Sequence, residues 1–252
     1  MILKHDKINT PHGNTIIWRY MGLDKFLDLI TSSHLYFTNA AKMTDKYEGV
    51  IPRKNLDKTR RHLANNYATN PSDIETELSI YKYQYDSLKN LTLINCWSIR
   101  QHESYALWKI YLGGSKSGVA IKTTVGNLRR AIDGGGENYQ EDIYLGKVEY
   151  SDYIPHEELS RFSIITTKNN FYEYEKELRL IIFHYPLSEG GVIPPYKVEV
   201  GRHYLVDVDQ LIDQIFLSPF AGPWFEHTFR QILTKVRPEL VDKIVLSEIM
   251  DQ

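Results

Sequence analysis

The sequence predicts one α+β domain over residues 1–252, built on mixed central β-sheets and carrying a helical insertion. Three observations predict it. The chain opens with a strand, helix and strand pattern before Thr38, a long helical stretch follows from Asn55 to Lys89, and the tail repeats the strand, helix, strand order. No internal repeat, low-complexity tract or linker divides the 252 residues, which are enough to bury a full core.

Thr15 to Tyr20 reads as a strand, and Leu23, Phe26, Leu27 and Ile30 follow at the i, i+3, i+4, i+7 spacing of a helix with one apolar face. Leu35 to Thr38 is the next strand. Arg19 interrupts an apolar, aromatic strand, where a guanidinium needs an anion from the protein or from a ligand. A salt bridge is the plain alternative. Met43 to Gly49 is a polar loop whose acids, Asp45 and Glu48, serve a site or cap and turn. In the insertion, Ser72 and Glu75 have capping-box spacing, and Ile74, Leu78, Tyr81, Tyr85 and Leu88 mark one helical face. That face reads as core, with the segment covering or flanking the sheet and placed to act as a lid.

Leu91 to Ser98 is a strand, with Leu91, Leu93, Asn95 and Trp97 on one side and Thr92, Ile94, Cys96 and Ser98 on the other. Cys96 reads as a small buried hydrophobe, having no cationic neighbour in sequence. Glu103 to Leu112 reads as a helix with Ala106, Leu107, Ile110 and Tyr111 on one face and Trp108 beside it. Gly118 to Lys122 is a strand, and Leu128 and Ile132 lie on a helix that stops at Gly134-Gly135-Gly136. Ile143 to Tyr150 is read as an alternating strand, and further strands are expected at Tyr196 to Val200 and Gln214 to Ser218. A helix from Pro223 to Val236 and a strand from Lys243 to Ser247 close the chain.

The charged row Glu175, Glu177 and Arg179 stands out. If a strand begins near Glu175, these three share one face and Leu178, Leu180 and Ile182 the other. Two carboxylates and a guanidinium on a sheet face must pair with each other or meet a polar ligand. An edge strand with a solvated salt-bridged face accounts for them equally well.

Composition narrows the function classes. A net charge of -2 argues against a general grip on phosphate backbones, while leaving room for a local basic patch. With a single cysteine, Cys96, there is neither a disulfide framework nor a thiolate zinc cluster, and the cytoplasm is the expected compartment. Charges at Lys4, Asp6 and Lys7 stand where a signal peptide needs an apolar run, and no stretch is long enough to span a membrane. The nine histidines show no ligand-like clustering, and neither a Walker loop nor a dinucleotide glycine fingerprint is present. No metal is expected. The 18 tyrosines and 4 tryptophans offer flat walls as readily as core.

Trp18-Arg19-Tyr20, Leu35-Tyr36-Phe37, the Asp45 to Glu48 loop, Cys96-Trp97-Ser98, Trp108 to Tyr111, Gly118 to Ile121 and Glu175-x-Glu177-x-Arg179 together resemble a widespread bacterial family catalogued as a domain of unknown function. The likeness runs from about Ile16 to Ser247. The order of an early arginine, a middle serine and a late Glu-x-Glu also resembles the Arg-Ser-Glu branch of the ADP-ribosyltransferases, with Cys96-Trp97-Ser98 in place of that branch's Ser-Thr-Ser element.

The second resemblance implies a related fold and NAD as substrate, without a metal. Glu177 would then stabilise the oxocarbenium-like centre or hold a ribose hydroxyl, and Glu175 would take the proton of the incoming nucleophile; the reverse order is open. Arg19 would bind phosphate or ribose, and Ser98 would support the glutamate or sugar. Read from the charged row itself, Arg179 orients Glu177 at the cofactor site, or else pairs with Glu177 or Glu48 as a structural brace. Tyr20, Phe37, Trp97 or Tyr111 would stack the nicotinamide or adenine. It further implies a protein or nucleic-acid acceptor, a toxin or phage-defence role, and an antitoxin or regulatory partner. Two other readings stand beside it: a noncatalytic module binding nucleotide, nucleic acid or protein, and a metal-dependent nuclease using Asp45, Glu48, Glu173 and Glu175.

Overall fold

The computed structural model describes residues 2–43, 49–67, 70–135, 141–183 and 200–250. In chain order the first elements are β1 (Ile2–Leu3), β2 (Ile16–Gly22), α1 (Leu23–Ser32), β3 (His34–Asn39), α2 (Arg53–Tyr67) and α3 (Pro71–Asn90). The middle of the chain supplies β4 (Thr92–Ile99), α4 (Tyr105–Leu112), β5 (Gly118–Thr124), α5 (Val125–Gly134), β6 (Ile143–Lys147) and β7 (Glu149–Tyr150). Then come α6 (Arg161–Thr166), β8 (Thr167–Lys168), β9 (Glu177–Phe183), β10 (Gly201–Leu205), α7 (Val208–Leu211), β11 (Gln214–Leu217), α8 (Trp224–Val236) and β12 (Ile244–Val245).

Ten of the strands form one mixed sheet in the order β1-β6-β9-β4-β2-β5-β11-β12, with β3 and β10 branching from β4. The α+β expectation holds at this level. The branch arises because β4 pairs with β2 only at Ile17↔Ile99 and Trp18↔Ser98, and with β3 farther back, at Thr38↔Ile94 and Asn39↔Leu93. Strands β2 and β4 therefore diverge beyond Trp18.

Alternation sorts the side chains onto two faces. One face joins Ile17, Met21, Val119, Ile121, Leu178, Leu180 and Ile182 into the main core, closed by Phe26 and Ile30 of α1, Leu128 of α5 and Phe229 and Leu233 of α8. The other face carries two smaller clusters. Trp18, Tyr20, Ala120 and Phe216 pack beneath Leu107, Trp108 and Leu112 of α4, and Ile94 and Ile181 pack beneath Phe162 and Ile165 of α6. The tail is a β-α-β unit, since β11 and β12 lie side by side in parallel with α8 between them in sequence.

The insertion is helical, as α2 and α3. Ile74 and Leu78 are buried, and Tyr81, Tyr85 and Leu88 pack against the cluster of Ile51, Ile154 and Ile164, so the stripe is core. Buried Asn55 anchors α2 by donating Nδ2 to the Ile154 carbonyl (2.7 Å) and accepting the Ile154 N–H (2.9 Å). Several expectations need correction. The cap of α3 is Asn70 with Pro71 at the first turn, and Glu75 instead binds Arg60 of α2. Helix α4 buries Leu107, Trp108 and Leu112 while Ile110 and Tyr111 are exposed, because the contact stripe lies one residue round from the predicted one. The 143–150 strand is two strands broken at Val148, and Ile143 to Gly146 are buried on both faces, so their pattern is a run rather than an alternation. The last strand spans only Ile244–Val245. Strand β10 has a polar sequence that does not read as a strand; the predicted strand at Tyr196 to Val200 lies almost wholly outside the described residues, as do Asp45, Glu48 and Gly136.

Gly118 opens β5 opposite Gly22, and a Cβ there would sit 2.7 Å from the Met21 carbonyl oxygen. Backbone cannot yield as a flexible side chain does, so Gly118→Ala is expected to lower stability by about 1–3 kcal/mol. A urea unfolding midpoint equal to that of the parent would contradict this account of the β2-β5 seam.

Candidate functional site

The site is organised by the turn entering β9. Residues Asn170–Glu175 form a 3-10 turn, Lys176 adopts the left-handed conformation (φ 46°, ψ 52°), and the strand begins only at Glu177. Glu175 is therefore not on the strand, and the predicted three-residue charged row does not form by alternation. What joins Glu175 to Glu177 is Lys168 of β8, whose Nζ donates to Glu175 Oε2 at 2.7 Å and Glu177 Oε2 at 3.4 Å. The ammonium also lies 4.7 Å from the Tyr172 ring centroid.

Glu177 and Arg179 are both enclosed, at 3% and 0% exposure. Arg179 donates Nε to Glu177 Oε1 (2.9 Å) and Nη2 to Oε2 (2.8 Å), a bidentate pair, while Nη1 donates to the Ile165 carbonyl. Burial alone would raise the Glu177 pKa, but Arg179 and then Lys168 outweigh it and bring the carboxyl down to about 2. Glu175 moves the opposite way. Desolvation raises its pKa, and Lys168 only partly offsets that. The two carboxylates thus have different proton affinities within one network.

Ser98 and Cys96 of β4 lie directly across from Glu177 and Arg179, on the same face. Ser98 Oγ donates to the Glu175 carbonyl (2.5 Å) and receives Arg100 Nε (3.1 Å), so the hydroxyl braces the turn. Cys96 is half-buried and packs against the Ile94, Ile181 and Phe162 cluster; cations remote in sequence come near it, with Arg179 opposite in register and Arg19 reaching its carbonyl.

Arg19 alternates with Trp18 on β2 and so starts on the main-core side, one residue beyond the last β2-β4 pair, where the two strands diverge. Its Nη1 donates to the Cys96 carbonyl (3.3 Å) and the guanidinium lies 5.7 Å from the Trp97 ring centroid. No carboxylate pairs with it among the described residues. Burial lowers its pKa, opposed by Cys96 and Tyr111. Tyr111 links the two sides: its hydroxyl end is desolvated, which raises the phenol pKa, although the residue as a whole is exposed, and Cys96, Glu177, Glu175 and Arg19 all act on it electrostatically. Arg19, Ser98 and Glu177 thus stand on three neighbouring strands, with Ser98 and Glu177 sharing a face and Arg19 approaching through the fork.

The aromatic candidates separate. Phe37 is fully enclosed against Tyr204, Trp97 is buried with Nε1 donating to Asn95 Oδ1 (2.8 Å), and Tyr20 is buried edge-on to Trp108 with its hydroxyl receiving the Ser104 N–H (2.7 Å). These three are core rings. Tyr111, 46% exposed, is the ring of the four that presents a face to solvent. Sequence reasoning missed Lys168, Tyr150 and Arg100 as site residues. Tyr150 receives the Glu177 N–H (2.8 Å), and burial pushes its phenol up to about 12. Arg100 binds Ser98 and helps hold the strand exit. The period-2 step from Ser98 to Arg100 is a signal that could have found it; Lys168 carries none, because a tertiary fold across the 3-10 turn brings it in.

No family model matches the chain, and no curated protein matches it.

The Glu177 pKa is lower folded than unfolded, so the unfolded chain takes up the proton first. Its contribution to stability is complete above about pH 4.5 and is lost as pH falls toward about 2, roughly 3 kcal/mol in all. Glu177→Gln is expected to be less stable than the parent at neutral pH and to show a flatter loss of stability between about pH 5 and about pH 2.5. Urea titrations at stepped pH measure this, and parallel pH profiles would contradict it.

Proposed function

We propose that the chain binds NAD and transfers its ADP-ribose group, acting as an ADP-ribosyltransferase-like enzyme. The observation that carries the reading is Arg19, a half-buried guanidinium without a carboxylate partner among the described residues, at the sheet fork and within electrostatic reach of Tyr111, on which both glutamates also act. A desolvated arginine so placed favours a phosphate or ribose oxygen. In the reaction the bond between the ribose anomeric carbon and the nicotinamide nitrogen breaks, and its electron pair leaves with neutral nicotinamide. An acceptor hydroxyl, amine or water bonds to that carbon and gives its proton to a carboxylate.

The raised pKa of Glu175 suits it to receive that proton, which makes Glu175 the working base. Glu177, kept ionised by Arg179, supplies fixed negative charge near the oxocarbenium-like centre. Ser98 and Arg100 hold the Glu175 turn, and Tyr111 supplies the stacking face. The reading extends to a protein or nucleic-acid acceptor, a toxin or anti-phage role in a bacterial cytoplasm, and a controlling partner.

A noncatalytic binding module is the second reading. The observation favouring it is that both Glu177 oxygens are engaged by Arg179 and that Ser98 is engaged with the backbone, as in a structural brace. For the nuclease reading, no group of three or more His, Cys, Asp or Glu among the described residues is placed to hold a metal. No helix among them is long and apolar enough to cross a membrane.

Incubation with NAD labelled in the adenylate, with and without cell lysate, tests the enzyme reading. The parent is expected to release nicotinamide, Glu175→Gln to lose about 10²–10⁴-fold in rate while remaining folded, and Arg19→Gln to lose affinity for NAD. A folded parent protein that leaves NAD intact and transfers no label would overturn it. Magnesium-dependent cleavage of DNA or RNA would favour the nuclease instead.

A further inference from the structure

Away from this site, α2 concentrates positive charge in a chain whose net charge is -2. Arg53, Lys54, Lys58, Arg60 and Arg61 are exposed on it, against the single acid Asp57. Lys54, Lys58 and Arg61 fall at i, i+4 and i+7, one stripe roughly 10 Å long. The stripe faces the 151–153 segment across a cleft of about 560 Å³. Lys54 pairs with Asp152 at 2.6 Å, which fixes the near wall. Lys58 Nζ lies 3.8 Å from the Tyr153 ring centroid, and Arg61 Nε donates to the Asp57 carbonyl at 3.2 Å. Neither Lys58 nor Arg61 pairs with a carboxylate among the described residues. Arg60, in contrast, is turned to Glu75 of α3.

We infer that this cleft binds single-stranded nucleic acid, with Lys58 and Arg61 on phosphates and Tyr153 offering its ring to a base. Lys58 and Arg61, neither held by a carboxylate among the described residues, provide the phosphate track; Lys58 rests on the Tyr153 ring, and its transfer to a phosphate leaves that half-buried ring as the sequence-tolerant stacking surface that a single strand uses. An anionic membrane fits less well. The leucines of α2, Leu56 and Leu63, are half-buried, so the cationic stripe brings no large apolar side chain to insert between lipids. The inference stands apart from the NAD reading, since none of its residues belongs to the β9 site. If both hold, the groove is where a nucleic-acid acceptor is held.

Fluorescence anisotropy of labelled deoxythymidine and uridine dodecamers, titrated with the full chain at low salt, tests it. The parent is expected to bind at least one of them, and Lys58→Gln/Arg61→Gln to weaken binding about tenfold or more and to reduce the slope of log affinity against log salt by about 1.4. Arg60→Gln is expected to bind as the parent does, and Tyr153→Ala to weaken binding without changing the slope. All four residues are at least partly exposed, so matching thermal unfolding curves show that the variants fold. The inference is overturned if the parent binds neither oligomer, if the double variant binds as well as the parent, or if duplex DNA or phosphatidylserine vesicles bind more tightly than either strand. Nicotinamide release measured without any nucleic acid, where water is the acceptor, is unaffected by these variants, which separates failure here from failure of the NAD reading.

Discussion

The interaction on which the candidate site depends is the buried bidentate pair of Glu177 and Arg179. Removing two charges from water costs several kcal/mol per ion, and the cost is offset only if every polar atom finds a partner. Here the partners come from different parts of the chain: Lys168 for the second carboxylate edge, the Ile165 carbonyl for the remaining guanidinium nitrogen, and the Tyr150 hydroxyl for the Glu177 N–H. Because the pair tolerates no missing member, it ties β7, β8 and α6 to the centre of the sheet.

The same pair sets the chemistry beside it. With Arg179 committed to Glu177, Lys168 is shared between two carboxylates and lies nearer to Glu175. Glu175 is left partly desolvated and with a raised pKa on a turn held by Ser98 and by the left-handed Lys176. The fork between β2 and β4 adds the other component. A sheet continuous across β2 and β4 would confine Arg19 to the main-core side; their divergence after Trp18 lets its head meet the Cys96 carbonyl and come within reach of Tyr111.

Most of the sheet was legible because period-2 apolar patterns at β2, β4, β5 and β9 report two buried faces, and Leu178, Leu180 and Ile182 do line the main core. The insertion was legible from its helical stripe. Three features were not, each for a physical reason. The approach to β9 reads as a strand through Glu175, since nothing in Tyr172 to Glu175 signals a 3-10 turn and Lys176, lacking a glycine's freedom, gives no hint of a left-handed backbone. Strand β10 is held by its pairing with β3 rather than by its own propensity. The cationic surroundings of Cys96 come from β2 and β9, which are remote in sequence. At the site, the residue types Arg19, Ser98, Glu175, Glu177 and Arg179 were legible, and their division of labour was not: the row of three became a buried pair and a separate carboxylate joined through Lys168.

The central claim is that Glu177 is the fixed charge and Glu175 the carboxylate available to substrate. Carbon-detected NMR of protein labelled at the glutamate side-chain carboxyl carbon, titrated with acid in the absence and presence of NAD, measures it directly. The account predicts that Glu175 titrates above the ordinary carboxylate range and shifts when NAD is added, while Glu177 stays ionised until strong acid and shifts little. A Glu175 resonance indifferent to NAD, or a Glu177 that titrates first, would contradict it.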